Sequence, residues 1–81
     1  MKQYDTFSTH DLALASALAT QGFSIADMER SEYSRRVSFI FERTEGLDKA
    51  VEDYWSDNLK VNPKTYFDAL KHIKTRIYAR N

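Results

Sequence analysis

The sequence predicts a small α+β domain in which an antiparallel β-hairpin packs against three helices, in the order α-β-β-α-α. Three observations predict this class. The length of 81 residues allows a single domain, residues 1–81. Apolar residues alternate strictly near the middle of the chain, which is typical of a strand. Helical spacing and capping signals occur on both sides of that strand.

The first helix is predicted over residues 8–21. Ser8 is a good N-cap, and Asp11 follows three residues later, close to a capping box. The segment from Leu12 onward is rich in alanine and leucine, which have high helix propensity. Gly22 then suits the position after the helix, where the backbone turns left-handed.

Two strands are predicted over residues 23–30 and 35–43, with a polar loop between them. Val37, Phe39 and Phe41 alternate as in a half-buried strand. The register that this pattern favours gives one apolar face and one mostly polar face. It pairs Arg30 with Arg35, Met28 with Val37, Ala26 with Phe39 and Ser24 with Phe41.

The mostly polar face of the hairpin retains an apolar patch of Phe23, Ile25 and Ile40. We expect either another element or a partner to cover this patch, because exposed apolar patches often mark interaction sites. Self-association through the patch or through a sheet edge is one version of this interpretation. A third short strand, from residues 3–7 or 59–61, is an alternative extension of the hairpin.

Two further helices are predicted in the second half of the chain. One begins near Gly46 and ends at residues 56–58, with an acidic outer side. The other begins with Asn62 as N-cap and Pro63 at the first helical position. The predicted core consists of Leu14, Leu18, Met28, Val37, Phe39, Phe41, Leu47, Val51, Leu70, Ile73 and Ile77.

Composition and length exclude several classes of function. The absence of cysteine excludes disulfides, a thiolate nucleophile and thiolate-bound zinc. His10 and His72 have no metal-ligand spacing, and there is no glycine-rich phosphate loop. No stretch reaches the ~20 apolar residues of a membrane span, and the N-terminus lacks a signal peptide. We expect a cytoplasmic protein that is not an enzyme and has no membrane contact, cofactor, metal or small-molecule ligand.

The net charge of zero conceals an asymmetry. Residues 58–81 contain six lysines and arginines against Asp68 alone, a net charge of +5, so residues 1–57 carry −5. The ordinary interpretation is that the acidic and basic helices are neighbours with complementary, solvated charges. The alternative is a basic surface for nucleic-acid phosphates, to which the hairpin arginines contribute. The candidates for phosphate contact are Arg36, Lys64, Lys71, Lys74 and Arg76.

Aromatic residues are concentrated toward the end of the chain, where they are interleaved with lysines. This mixture is typical of surfaces that stack bases and hold phosphates. Tyr66 lies on the apolar stripe of the third helix and is expected in the core, whereas Trp55 or Phe67 is expected at its rim. The aromatic set consists of Tyr54, Trp55, Tyr66, Phe67 and Tyr78.

A family resemblance follows from pieces that span roughly residues 4–78. These pieces are Tyr4-Asp5-Thr6, Asp11-Leu12-Ala13-Leu14-Ala15, Leu18, Gly22-Phe23, Val37-Ser38-Phe39-Ile40-Phe41, Val61-Asn62-Pro63, Tyr66, Leu70, Lys74 and Ile77. Together they resemble a family of small single-domain proteins of unknown function found in bacterial, archaeal and phage genomes. The resemblance implies a small accessory protein, carried by a phage or mobile element, and it offers no catalytic or ligand residues to transfer.

Three functional hypotheses follow from the sequence, of which the third, an enzyme, would need a pocket that a chain of this size seldom provides. The first is a non-catalytic accessory or binding module whose partner is another protein or a second copy of the chain. The second is a nucleic-acid-binding protein that uses the basic third helix and the hairpin arginines. The first two hypotheses require different surfaces. The first needs the apolar hairpin patch, and the second needs the basic side chains on one face of the protein.

Overall fold

The computed structural model describes residues 5–33 and 36–79, and it has the predicted α+β architecture. A third strand precedes the first helix and overlaps residues 3–7, one of the two predicted alternatives, but it extends to Thr9, and residues 59–61 form no strand. Within the described ranges, no helix combines the length and apolar character needed to cross a membrane. The elements are β1 (Thr6–Thr9), α1 (Leu12–Thr20), β2 (Ile25–Arg30), β3 (Val37–Glu42), α2 (Leu47–Trp55) and α3 (Pro63–Ala79).

The three strands form an antiparallel sheet in the order β1-β3-β2, so β3 is central. Alternation along β3 turns Phe39 and Phe41 toward the helices, where both are buried. Phe7 of β1 lies opposite Phe41, and their ring centroids are 6.5 Å apart. The helices cover one face of the sheet, as the predicted pattern required.

The hairpin register differs from the prediction by two residues. Arg30 pairs with Val37 and Met28 with Phe39, because the loop between the strands is longer than expected. A shift of two residues leaves each side chain on its predicted face, since successive side chains of a strand point to opposite faces. Met28 therefore lies in the core as predicted. The predicted partner Arg35 lies outside the described residues.

A β-bulge between Ile25 and Asp27 corrects a second part of the predicted register. The bulge inserts Ala26 as an extra residue, so Ile25 takes the place opposite Phe41 that was predicted for Ser24. Ile25 consequently packs against the core instead of lying on the other face. Alternation of side chains alone could not indicate this change of face.

Helix α1 begins later than predicted. Its N-cap is Asp11, whose carboxylate oxygen accepts hydrogen bonds from the backbone N–H groups of Ala13 at 2.9 Å and Leu14 at 3.2 Å. Ser8 is not the cap, because it belongs to β1 and pairs there with Ile40. The helix ends at Thr20 with Gln21 as C-cap, and Gly22 follows as predicted, with a φ of 96° in the left-handed region.

Helices α2 and α3 both pack on α1, and each does so more extensively than the two pack on each other. Helix α3 begins as predicted, with the Asn62 side-chain oxygen accepting hydrogen bonds from the N–H groups of Lys64 and Thr65. Four predicted core residues are only partly buried, namely Val37, Val51, Leu70 and Ile77. The buried core is Leu14, Ala15, Ala17, Leu18, Met28, Phe39, Phe41, Leu47, Ala50 and Ile73.

Candidate binding surface on the third helix

Helix α3 presents a flank of alternating aromatic and basic side chains to solvent. Its inward side is centred on buried Ile73, with Tyr66, Leu70 and Ile77 partly buried nearby. Residues about 100° further around the helix recur at spacings of three and four, and all are exposed. We call this flank the aromatic–basic stripe, and it consists of Lys64, Phe67, Lys71, Lys74 and Tyr78.

The two rings of the stripe are unusually exposed for large aromatic residues. Phe67 is 56% exposed and Tyr78 is 66% exposed. The Lys71 Nζ lies 5.5 Å from the centroid of the Phe67 ring, which is a cation–π contact. The stripe therefore combines apolar faces with positive charge in direct contact.

The lysines of the stripe are weakly neutralised. Lys64 Nζ lies 3.7 Å from an Asp68 carboxylate oxygen, and this exposed pair contributes little to stability. Among residues 5–33 and 36–79, Lys71 and Lys74 have no carboxylate within ion-pair distance. These two ammonium groups are the charges best placed to meet an anion.

Arg76, which the sequence grouped with these lysines, lies on the opposite flank of α3. Together with His72 it lines an open cleft of about 260 Å³ beside Phe23 and the buried Ile73. A second shallow cleft of about 320 Å³ is also lined by Phe23 and includes Glu42. The structure therefore separates Arg76 from Lys64, Lys71 and Lys74.

The hairpin brings positive charge to the C-terminal end of α3. The Arg30 guanidinium donates a long hydrogen bond of 3.4 Å to the Ile77 carbonyl oxygen. Arg36 is exposed and lies across the hairpin from Ser31, whose N–H donates to the Arg36 carbonyl at 3.3 Å. The sequence predicts Arg30 only as one of the contributing hairpin arginines, and nothing in its local sequence distinguishes it from the others.

Arg43 belongs to a different part of the surface. Its guanidinium forms ion pairs with Asp5 at 2.8 Å and with Asp48 at 3.1 Å. These contacts connect the end of the sheet to the first turn of α2. Arg43 is therefore occupied with acidic neighbours and does not extend the aromatic–basic stripe.

The acidic and basic helices do not neutralise each other through ion pairs. In the part of the chain that the structure describes, Lys49 of α2 pairs with Asp53 of the same helix, and Lys64 pairs with Asp68 within α3. No ion pair joins α2 to α3 among those residues. The interpretation that the two helices carry complementary, solvated charges therefore stays a prediction, without a direct ion pair among these residues to support it.

The apolar patch predicted on the hairpin is not assembled. Phe23 and Ile25 are partly buried and pack against the core, and Phe23 Cζ also approaches the turn at Gly46. Ile40 lies on the opposite face of the sheet, where its partners are Ser8 and Asp27. The bulge at Ala26 is the physical reason, because it rotates Ile25 away from Ile40.

The sheet face turned away from the helices is acidic. Asp27, Glu29 and Glu42 are exposed there. At one end of the strands, the His10 Nδ1 lies 3.4 Å from the Ser38 hydroxyl oxygen. Across the described residues, no group of three His, Cys, Asp or Glu side chains has a metal-binding arrangement. The charge asymmetry of the sequence thus becomes an acidic sheet face and a basic helix flank.

Two aromatic residues at the end of α2 have different environments. Trp55 is 63% exposed, and its ring contacts the Tyr54 ring edge-on with centroids 4.9 Å apart. Burial raises the pKa of the Tyr54 phenol above its usual 10.0, and the nearby charges of Asp11, Tyr66 and Asp57 raise it further. The Tyr54 phenol therefore keeps its proton to a higher pH than a free tyrosine does.

Comparison with known proteins identifies the family. The profile of one family, described as a domain of unknown function (DUF5659), matches residues 4–79, nearly the whole chain. The chain belongs to this family. The match confirms the resemblance to a small domain of unknown function that the caps, the glycine and the central strand indicated. No curated protein and no solved structure matches the chain.

The sequence indicated the components of the stripe but not their grouping. Helical spacing of three and four residues already places Phe67 and Tyr78 on the same flank as Lys71 and Lys74. Tyr66 belongs to the same predicted aromatic set but lies on the inward side of α3. Helical spacing separates Tyr66 from the exposed Phe67 and Tyr78.

Proposed function

We propose that the protein is a non-catalytic binding module that holds an anionic macromolecule on the aromatic–basic stripe of α3. The observation that carries the proposal is the exposure of two aromatic rings on the same flank as three lysines. Exposed aromatic residues are enriched where proteins bind partners, and rings beside positive charge are typical of surfaces that hold nucleic-acid strands. A flank used only for solvation would not need the rings of Phe67 and Tyr78.

The positive charge of the stripe selects the class of partner. Because the protein as a whole is neutral, long-range attraction to an anion must come from a local surface. The stripe and Arg30 supply that surface, while the acidic sheet face repels the same anion. The molecule therefore has one side suited to an anionic partner.

The non-catalytic part of the proposal rests on the size of the domain. A chain of 81 residues favours contact through its surface over a deep, water-excluding pocket. The protein partner expected from the sequence was assigned to Phe23, Ile25 and Ile40, which do not form one patch. An acidic protein surface and a nucleic acid both satisfy the charge of the stripe.

Retention on immobilised heparin, a soluble polyanion, tests this proposal. We expect the protein to elute only when salt is added, and Lys71→Glu to elute at lower salt. The matched control is Lys49→Glu, because Lys49 is also an exposed helical lysine, with a side chain 75% exposed on the acidic helix α2. Both substitutions change the net charge equally, so only the position of the charge differs.

The test compares the salt concentrations at which the two variants elute. Equal elution of Lys71→Glu and Lys49→Glu would overturn the assignment of the contact surface to α3. Absence of retention for the unaltered protein would overturn the anionic partner altogether. The cytoplasmic location and the phage or mobile-element origin expected from the sequence stay predictions.

A further inference from the structure

We propose that the anionic partner of the aromatic–basic stripe is single-stranded nucleic acid, with bases stacked on Phe67 and Tyr78 and phosphates held by Lys71 and Lys74. This inference rests on the proposed function and names the partner class. Its first support is chemical. Single-stranded nucleic acid combines free aromatic faces with regularly spaced anions, and proteins bind it with stacking rings beside cations.

The geometry of the stripe suits two separate bases. Phe67 and Tyr78 are eleven residues apart, which is about 16 Å along a helix axis. One base cannot contact both rings at this separation, so each ring takes its own base. Lys71 and Lys74 lie between the rings, where the backbone connecting the two bases must pass.

Duplex DNA fits the stripe less well. The bases of a duplex are stacked on each other, and they present only their edges in the grooves. The faces of Phe67 and Tyr78 would then find no free base, and their apolar surface would lie against phosphates and sugars. Exposed rings on a helix flank are useful when the bases are unstacked, as in a single strand.

An acidic peptide also fits the stripe less well. A partner helix normally inserts apolar anchors into a groove between elements. The stripe is instead the convex flank of one helix, and its two rings are separated by Lys71 and Lys74. A second copy of the chain binding through its own α3 would place lysine against lysine, which is repulsive.

The test measures the anisotropy of labelled oligothymidylate and oligouridylate, with a duplex of equal length as comparison. We expect tighter binding to the single strands. Replacement of one ring, in Phe67→Leu or Tyr78→Leu, should weaken single-strand binding about 5- to 150-fold, the range for one stacked base. Leucine keeps an apolar side chain on the helix. Phe67→Tyr should bind like the parent because it keeps an aromatic ring at this position.

A matched aromatic control is available outside α3. Tyr33, in the loop between β2 and β3, is 93% exposed and lies outside the stripe. Tyr33→Leu should leave the affinity unchanged. Lys74→Ala should weaken binding to every sequence and reduce the slope of log affinity against log salt by about 0.7, as expected for one lost phosphate contact on a single strand.

The possible results separate this inference from the proposed function. Heparin retention that depends on Lys71, together with equal binding of duplex and single strand or with no effect of Phe67→Leu, would overturn the single-strand assignment alone. Competition by polyglutamate as strong as that by the oligonucleotide would also overturn it, in favour of an acidic protein partner. Loss of heparin retention as well would overturn both. A salt-sensitive oligomer of the protein alone would contradict the inference, because the acidic sheet face of another copy would then occupy the stripe.

Discussion

Helices α1 and α3 differ in how much of their surface is buried. In α1, five consecutive residues from Leu14 to Leu18 are buried, so neighbouring elements surround the helix. In α3, Ile73 alone is fully buried among 17 residues, and one flank faces solvent without a covering element. Helix α1 therefore lies at the centre of the core. Helix α3 packs on α1 with one side and exposes another side to solvent.

The composition of the two helices matches these roles. Alanine and leucine dominate α1, and small side chains let other elements approach from several directions. The buried Ser16 is accommodated because its hydroxyl donates a 2.8 Å hydrogen bond to the Leu12 carbonyl. In α3 the polar and charged residues are distributed along the exposed flanks, so fewer of its residues are buried although the helix is longer.

The two helices should differ most in the loss of unfolding free energy that follows when one large side chain is truncated in each. Leu18→Ala removes a fully buried side chain from α1 and should lower the free energy of unfolding by about 2–5 kcal/mol. Phe67→Ala in α3 should change it by no more than about 0.5 kcal/mol, because that ring is exposed. Urea unfolding measures both values, and similar losses for the two variants would contradict the comparison.

Enlarging one alanine in each helix tests the same difference in burial. Ala15 is fully buried in α1, so Ala15→Leu should destabilise the protein by about 1–3 kcal/mol through overpacking. Ala79, at the end of α3, is exposed, and Ala79→Leu should be within about 0.5 kcal/mol of the parent. Thermal unfolding followed by circular dichroism provides the measurement. An Ala15→Leu protein as stable as the parent would mean that α1 is not tightly surrounded.

The N-caps allow a smaller test. Asp11→Ala removes both side-chain hydrogen bonds at the start of α1 and should cost about 0.5–2 kcal/mol. Asn62→Ala at the start of α3 should cost less within the same range, since its hydrogen bonds are exposed to water. Asp11→Asn should recover most of the loss because an amide oxygen can also accept these bonds. Equal urea midpoints for Asp11→Ala and the parent would show that the cap does not matter.

The smallest effect concerns alkaline pH. Because the pKa of Tyr54 is raised in the folded state, the native protein keeps this proton when the unfolded chain has already lost it above its ordinary pKa of 10.0. The stability from the neutral phenol is thus present below that pH and is lost as pH rises through the folded pKa. Tyr54→Phe should lose less stability than the parent between about pH 8 and about pH 11. Equal losses in urea unfolding at the two pH values would contradict this expectation.

Much of the fold could be predicted because its signals are local. Asn62 and Pro63 mark the start of α3 within two residues of sequence, and Gly22 marks the end of α1 through its left-handed backbone. The alternation of Phe39 and Phe41 correctly indicated which face of β3 is buried. Each of these features depends on neighbouring residues, so no information about distant parts of the chain was needed.

The candidate site was predicted only in part. The basic character of α3 follows from composition, and Lys64, Lys71 and Lys74 stay the predicted phosphate contacts on one exposed flank. Arg76 lies on the other flank, and the placement of the hairpin residue Arg30 beside α3 depends on a contact with Ile77, 47 residues away. A contact between such distant residues leaves no pattern in either local segment.

Local sequence patterns are enough to predict the helices, the central strand, the separation of acidic from basic segments and the family. These depend on propensity, capping and composition, which act over a few residues. Only the tertiary structure decided the strand register, the bulge that turns Ile25 inward, the cap at Asp11 and the flank of α3 that stays exposed. The physical reason is that competing local arrangements differ little in free energy, and the burial of one shared core selects among them.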